Sequence, residues 1–232
     1  GLLNDKSSDE LVSKVLGSVL KSNQPLYISE LVSRAAGINR NSQRELFRSL
    51  LKSSDPDVKF AALNRMGQLP KDDKDVALLR GLISDNEIYS VVNAAMNTLS
   101  VWDAKGNIDI FKVQATKESR YSTLRESAIA AMSRDSNPET MKTIIGYLSP
   151  NYDRLSRWAA ISALRFFYKD LPAGTKALTD ILGDNDKEVV RNSLAALADR
   201  KDRSALTAIK EFSANTKIDE LKKLAERSEE RR

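Results

Sequence analysis

The sequence predicts an all-α protein folded as a right-handed α–α superhelix of about seven helix pairs. Its 232 residues are 41% hydrophobic and only 6% aromatic, a mixture that suits helices better than a β-sandwich. Apolar residues recur at helical spacing, and the same pattern returns about every 33 residues. Because one helix pair cannot bury its own apolar face, consecutive pairs are expected to stack.

The repeat is clearest in the stretch DPDVKFAALNRMGQL, residues 55–69. With Val58 as position 0, small or apolar residues follow at +4, +5 and +8, which share one side of a helix that turns about 100° per residue. That side is therefore predicted to be buried in every copy. The further copies of positions 0, +4, +5 and +8 are Val91, Ala95, Met96 and Leu99; Leu124, Ala128, Ile129 and Met132; Ser156, Ala160, Ile161 and Leu164; and Val189, Ser193, Leu194 and Leu197, with weaker copies from Ile28 and Lys217.

A polar turn and a second apolar helical pattern precede each of these helices. The turns SDPD, SDNE, PNYD and GDND offer Asp and Asn side chains as helix N-caps. In the first of them Asp55 is the predicted cap, and Pro56 takes the first helical position, where its missing N–H costs nothing. The stretch SSDE at 7–10 is typical of a capping box for the first helix.

These patterns predict one domain over residues 1–232. In each pair, we call the helix that carries positions 0 to +8 the second helix and the helix before it the first helix. The second helices are expected on the concave side of the superhelix and the first helices on the convex side. The chain begins with Gly rather than Met, so we expect it to be a piece excised from a longer protein. The predicted helix pairs lie near 8–38, 41–69, 72–102, 106–134, 138–168, 172–199 and 202–230.

The chain contains neither Cys nor His, and this limits its chemistry. Without these residues, disulfides, thiolate nucleophiles, the zinc-protease motif H-E-x-x-H and the Ser-His-Asp triad are excluded. We therefore expect a chain that is not an enzyme and that holds no metal or cofactor.

The charge of the chain argues against nucleic acid as a partner. Residues 200–232 supply +3 of the net charge of +5, and both signs are interleaved elsewhere rather than gathered in a basic stripe. No apolar run approaches the length of about 18 residues that a transmembrane helix needs. The absence of Cys is compatible with the cytoplasm and the periplasm alike, so the compartment is not predicted.

Three stretches carry a family resemblance: DPDVKFAAL, DRLSRWAAISAL and DNDKEVVRNSLAAL. They resemble the Asp-x-x-Val-Arg-x-x-Ala-x-x-Ala-Leu signature of compact bacterial HEAT repeats, over residues 25–225. The period fits ankyrin or tetratricopeptide repeats in length, but the characteristic residues of both are missing. The resemblance implies a HEAT/ARM-like solenoid that serves as an interaction scaffold.

A second resemblance is more specific. The stretch from IYSVVNAAM at 88–96 to RESAIAAM at 125–132, with IDELKKLAERSEERR at the end, looks like the C-terminal HEAT-like domain of bacterial zinc aminopeptidases of the aminopeptidase N type. In that family the domain follows the catalytic module and closes over its site. The resemblance implies a metallopeptidase parent whose zinc ligands lie upstream of Leu2, and it maps no catalytic residue onto this chain.

Arg125, Arg157 and Arg191 fall one or two places after position 0 in their helices. One interpretation is a cationic groove for an acidic peptide or a carboxylate. The other is a structural ladder in which acids of the turns, such as Asp55, Asp153 and Asp186, bond to the arginines.

Phe60 and Trp158 share offset +2, on the side of the helix away from the predicted core. They are candidate protein-contact residues, since Trp is a favoured hot-spot residue at interfaces. The alternative is that both pack against the next repeat. The aromatic stretch RFFYKD at 165–170 is predicted to complete the core.

These observations favour a non-catalytic interaction scaffold whose partner is a protein. The partner is either an upstream domain of the same chain, as in an aminopeptidase, or another polypeptide bound by a free-standing HEAT protein. A remote alternative is a HEAT-like DNA glycosylase, for which Trp102, Asp103 and Trp158 are candidates. The scattered charge argues against it.

Overall fold

The structure is a computed structural model that describes Lys14, Val32 and residues 44–230. The predicted first helix pair and the capping box at 7–10 lie outside the described residues, apart from Lys14 and Val32. The chain divides into two compact units, one up to Ile110 and one from Phe111. The prediction of one domain over the whole chain is not tested by this division and stays a prediction.

The described part of the first unit consists of two helix pairs. Helix α1 packs on α2, α3 packs on α4, and the second helices α2 and α4 pack on each other. A 3₁₀ turn, Lys105–Asn107, follows α4. The helices are α1 (Arg44–Leu50), α2 (Pro56–Met66), α3 (Asp73–Leu82) and α4 (Tyr89–Asp103).

The second unit repeats this arrangement. Its second helices α6, α8, α10 and α12 pack on one another in sequence, and α7, α9 and α11 each pack on a second helix of this series. Helix α5 crosses the boundary between the units, and no strand occurs in residues 44–230. The helices are α5 (Ile108–Thr116), α6 (Thr123–Ser133), α7 (Pro138–Gly146), α8 (Arg154–Phe166), α9 (Pro172–Asp180), α10 (Lys187–Arg200), α11 (Leu206–Asn215) and α12 (Asp219–Glu230).

The predicted apolar face of the second helices is buried. In all five copies that begin between Val58 and Val189, the residues at positions 0, +4, +5 and +8 are at most 5% exposed. The two polar residues on this face are satisfied locally: Ser193 Oγ donates to the carbonyl of Val189, and Ser156 Oγ donates to Asp153. The helical periodicity therefore predicted the core correctly.

The predicted caps are present at three of the four turns. Asp55, Asp153 and Asp186 each accept hydrogen bonds from backbone N–H groups of the helix that follows. At the SDNE turn the prediction is wrong, because α4 begins after Ile88 without a side-chain cap. The acid of this turn, Glu87, forms an ion pair with Lys59 instead.

Arg200 ties α10 to the helices before it. Its guanidinium is buried and donates to the carbonyls of Leu164, Tyr168 and Leu171 at 2.6–2.8 Å, and to Thr175 Oγ1 at 3.0 Å. The backbone of α9 comes so close that a Cβ on Gly174 would lie 3.2–3.4 Å from the guanidinium. One side chain thus satisfies three carbonyls where α8 ends and α9 begins.

We expect Arg200→Met to lower the free energy of unfolding by about 2–4 kcal/mol, because three carbonyls lose their donor in a buried place. Chemical denaturation followed by circular dichroism measures this value. Arg203→Met is the matched control on an exposed side chain, and we expect it to change stability by less than about 0.5 kcal/mol. Equal effects of the two variants would contradict the role of Arg200.

Candidate functional site

A ladder of ion pairs joins consecutive repeats within each unit. A basic side chain one or two places after position 0 pairs with an acid that lies 27–29 residues further on, at the start of the next second helix. The lower dielectric near a protein surface strengthens such pairs relative to water. The pairs are Lys59 with Glu87, Arg125 with Asp153, Arg157 with Asp184, and Arg191 with Glu220.

The three predicted arginines all belong to this ladder. Arg157 is only 4% exposed, and its Nε donates to the carbonyl of Leu148 at 2.9 Å while its terminal nitrogens contact Asp184. The side chain of Arg191 is 42% exposed and contacts Glu188 and Glu220. The structural interpretation accounts for these contacts, and a role in binding a protein stays a prediction for all three arginines.

Arg125 lies in a dense polar cluster at the start of α6 and α8. Its Nε donates to the carbonyl of Ala115 at 2.9 Å, and its guanidinium lies 5.4 Å from the ring centre of Tyr152. Burial pushes the pKa of Asp153 upward, but hydrogen bonds from Ser122, Ser156 and the backbone outweigh it and hold that pKa at about 2. The carboxylate of Asp153 is therefore ionised at neutral pH and is held in place by hydrogen bonds from its neighbours.

The acids of the ladder are not all those that the sequence suggested. Asp55 caps α2 and makes no arginine contact among the described residues, whereas Asp186 pairs with Arg154 at 2.6 Å. Arg157 uses Asp184 instead, two residues before the cap. In the GDND turn both acids bond to arginines of α8, and Asp186 also caps the helix that follows.

A surface groove of about 300 Å³ lies between the second helices α6 and α8. Most of its residues come from offsets that point away from the buried face, whereas Ser133 and Ala163 are buried, and small side chains form its middle. We call it the α6/α8 groove, and it is lined by Glu126, Ala130, Ser133, Trp158, Ala159, Ser162, Ala163, Phe166 and Phe167.

Aromatic side chains stand at both ends of α8 in this groove. Trp158 is half-buried, and its Nε1 is shielded from solvent and has no acceptor among the described residues. Phe166 and Phe167 are 56% and 41% exposed, whereas Tyr168 is 1% exposed. The prediction that RFFYKD completes the core is therefore right for Tyr168 and wrong for both phenylalanines.

Glu126 of α6 occupies the same offset, +2, as Trp158 of α8. Partial burial and the nearby charge of Asp153 raise the pKa of the Glu126 carboxyl above its ordinary value. No residue of the described chain forms a hydrogen bond or an ion pair with it. The negative charge of Glu126 is thus the one in this groove that its surroundings leave without a partner.

The charge at the other end of the groove has the opposite sign. The guanidinium of Arg134 lies 6.0 Å from the ring centre of Phe167, and that of Arg165 lies 4.9 Å from the ring centre of Phe166. Arg165 is also paired with Asp199. Guanidinium groups at these distances are attracted by the ring faces.

Phe60 is the predicted contact residue of the first unit. It lies on α2 at offset +2 and is 43% exposed, as its position in the repeat predicts. It is not part of the α6/α8 groove, and its role in binding stays a prediction. Its neighbour Lys59 belongs to the ladder.

A second concavity, of about 480 Å³, lies between α7 and α9. It is lined mainly by aliphatic residues such as Ile145, Leu148 and Ile181, and the exposed pair of Lys176 and Asp180 borders it. It contains no aromatic side chain, and no charge on it lacks a partner. The α6/α8 groove is therefore the stronger candidate for recognition of a partner.

The residues proposed for the DNA glycosylase alternative have local structural roles. Trp102 Nε1 donates to the carbonyl of Leu69 at 2.8 Å. Asp103 pairs with Lys71 and accepts from the N–H of Gly106, and these bonds lower the pKa of its carboxyl. Nothing in these contacts favours the alternative over a binding scaffold.

The described residues form neither a metal-binding cluster nor a membrane-spanning helix. Within Lys14, Val32 and residues 44–230, no group of three or more acidic side chains is placed to hold a metal ion. In the same part of the chain, no helix has the length and hydropathy needed to cross a membrane.

Comparisons with known proteins bear on the fold. Residues 113–198 match a family model described as HEAT repeats. The X-ray structure of YibA from E. coli is similar, with a TM-score of 0.58 and 13% identity over 97% of this chain and 94% of that chain. Human deoxyhypusine hydroxylase in complex with glycerol gives a TM-score of 0.45 at 13% identity, over 100% of this chain and 99% of that one. A comparison with curated proteins gives no match.

The fold is an all-α, HEAT-like helical repeat. The match to the family model runs from α5 to α10 and includes the whole α6/α8 groove. At 13% identity the likeness to YibA concerns the fold alone. The TM-score of 0.45 for the human enzyme is too low to support a conclusion about this chain. None of these comparisons shows a link to an aminopeptidase.

The ladder leads to a prediction about stability. We expect Asp184→Asn to lower the free energy of unfolding by about 2–4 kcal/mol, because it leaves the buried guanidinium of Arg157 without its counter-charge. Glu220→Gln is the matched control on an exposed pair, and we expect a loss of less than about 0.5 kcal/mol. Urea denaturation at neutral pH distinguishes the two, and equal losses would contradict the buried role of Asp184.

The same pair predicts a dependence on pH. The hydrogen bond from Arg157 holds the pKa of Asp184 below its ordinary value of 3.8 in the folded state. Its stabilisation is therefore complete above pH 3.8 and is lost as the pH falls through the lower folded pKa. In Asp184→Asn this part of the acid dependence of the urea midpoint should be missing, whereas a curve parallel to wild type would contradict the pairing.

Proposed function

We propose that this chain is a helical-repeat scaffold that binds proteins and that the α6/α8 groove is a contact surface for its partner. The observation that carries the proposal is the exposure of Phe166 and Phe167 beside Trp158 in one concave surface. Exposed apolar groups that gather in a groove with polar surroundings mark interaction sites more often than single exposed residues do.

The form of the groove suits a segment of polypeptide. Aromatic anchors such as Trp158 supply large contact areas at little entropic cost, and they are frequent among interface hot spots. Between the anchors, Ala130, Ala159 and Ser162 are small, so a partner backbone has room to approach the helices. The outward faces of stacked helices thus provide both anchors and space.

A binding role rather than a catalytic one is part of the proposal. It is supported by the lack of Cys and His throughout the sequence, since these residues carry much of nucleophilic and acid–base catalysis. No cofactor is needed for a scaffold of this kind. Screening the purified chain for peptidase and esterase activity with fluorogenic substrates tests this part, and turnover that survives repurification would overturn it.

The finer proposal is that the chain is the C-terminal accessory domain of a zinc aminopeptidase. It rests on the likeness of the sequence at 88–132 and at the C-terminal end, and the comparisons do not support it further. A free-standing scaffold remains the alternative. The sequence of the source gene upstream of Leu2 separates the two, because an H-E-x-x-H helix with a downstream Glu would mark the metallopeptidase.

Panning a random 12-residue peptide display library on the full chain tests the binding surface. We expect selected peptides whose affinity falls about tenfold or more in Trp158→Ala and in Phe166→Ser, because each variant removes an anchor of the groove. Fluorescence anisotropy with labelled copies of the selected peptides measures the dissociation constants.

Val113→Ser is the matched control, since Val113 and Phe166 are each 56% exposed and Val113 lies on α5, outside the groove. We expect it to leave peptide affinity unchanged. Thermal melts of all variants show whether the fold is retained, and Phe166→Ser is expected to melt close to wild type because its side chain is exposed. Selected peptides that bind Phe166→Ser as well as wild type would contradict the proposed surface.

A further inference from the structure

We propose that the α6/α8 groove recognises a partner segment with a basic side chain at the Glu126–Trp158 end and a large apolar side chain at the Phe166–Phe167 end. This inference rests on the proposed function and specifies the chemistry of the partner. The segment is extended, and its two recognised residues are three or four positions apart.

The basic side chain is assigned by the charge of the groove. Glu126 and Trp158 occupy equivalent positions on neighbouring helices, and both line the same concavity. The carboxylate of Glu126 has no partner among the described residues, and the nearby acid Asp153 increases the local negative potential. An indole beside a free carboxylate suits Lys or Arg, since the ring attracts the cation and the carboxylate bonds to it.

The opposite end of the groove disfavours a second cation. Arg134 and Arg165 already place guanidinium groups against Phe167 and Phe166, so another positive charge would be repelled there. The exposed rings still offer apolar surface to a side chain such as Leu, Ile or Phe. The groove therefore has a defined polarity, with the cation site at the start of α8 and the apolar site at its end.

The spacing of the two recognised residues follows from helix geometry. Trp158 and Phe166 are eight residues apart on α8, so their positions differ by about 12 Å along the axis at about 1.5 Å per residue. An extended segment advances about 3.3 Å per residue, and it covers this distance in three to four residues. A helical segment would need about eight residues, so the spacing in bound peptides reports their conformation.

The middle of the groove is compatible with an extended backbone. Ala130 and Ala159 form a surface without long side chains. Ser162, which is exposed at offset +6 of α8, places a hydroxyl within this surface as a donor or acceptor for a peptide group. An extended segment needs such partners, because its own N–H and C=O groups are not paired internally.

Parallel panning of the same 12-residue library on wild type and on Glu126→Gln tests the assignment. Among wild-type peptides whose binding depends on Phe166, we expect Lys or Arg three or four positions from a large apolar residue. Peptides selected on Glu126→Gln should retain the apolar residue and lose the basic one. Glu139→Gln, an exposed acid on α7, is the matched control and should select the same motif as wild type.

A double-mutant cycle measures the contact itself. Replacing the basic residue of a selected peptide by Gln should weaken its binding to wild type about five- to tenfold, as expected for one charge-assisted contact at a partly exposed site. The same replacement should change binding to Glu126→Gln by less than about twofold. Wild-type binding should also weaken with added salt.

The outcomes separate this inference from the proposed function. Peptides that depend on Phe166 and Trp158 but carry no basic residue, or carry an acidic one, would overturn the inference and leave the proposed surface intact. A basic residue about eight positions from the apolar residue would overturn the extended conformation. If no selected peptide depends on Phe166, the proposed surface fails and the inference fails with it.

Discussion

Within each unit the fold depends on the packing of consecutive second helices on one another, and each of the five copies has a small residue at offset +4. This residue is Ala in four copies and Ser193 in the fifth, and in every copy it is completely buried. Helix axes approach to about 8 Å only where the contacting side chains are small. Positions 0, +5 and +8 lie on the same side of the helix and are buried with it, whereas offsets +2, +6 and +10 point outward. The buried face thus determines where a binding surface can form.

The ladder of ion pairs is a second consequence of this arrangement. Position +1 lies at the border of the buried face, where a long basic side chain covers apolar surface with its stem and reaches the next turn with its charge. The charge is tolerated there because an acid follows 27 or 28 residues later, as for Arg157 and Asp184. In α10, position +1 is the buried Val190, and the residue 28 places later is the apolar Ile218 rather than an acid. The basic side chain stands one place further on in this copy, where Arg191 pairs with Glu220. Position +1 is therefore charged in three copies, at Lys59, Arg125 and Arg157, and apolar in two, at Val92 and Val190.

The sequence predicted the core and most helix starts because both follow from local rules, periodicity and capping. It predicted Asp153 as an acid of the ladder, and Asp153 pairs with Arg125. It did not predict the partner of Arg157, because the GDND turn holds two acids, and only the folded turn shows that Asp186 caps while Asp184 reaches Arg157. The groove was missed for a different reason. The aromatic composition of RFFYKD suggests a buried stretch, but offset +10 places Phe166 on the outward side of α8, together with Trp158. Glu126 lies at offset +2 of α6, the position that Trp158 has on α8. Phe167 follows the end of α8, where the helical period no longer applies.

The outward face of the second unit shows how such a surface remains tolerable before a partner binds. Phe166 and Phe167 contribute little to the core, since the adjacent Tyr168 fills the buried position. Their rings are partly covered by the guanidinium groups of Arg165 and Arg134, which reduces the apolar area in contact with water. A partner residue must therefore pack beside these cations, and this requirement selects an apolar group rather than a basic one. At the other end Glu126 has no such cover, so the same surface accepts a cation there, and the polarity of the groove follows from which of its charges are already paired.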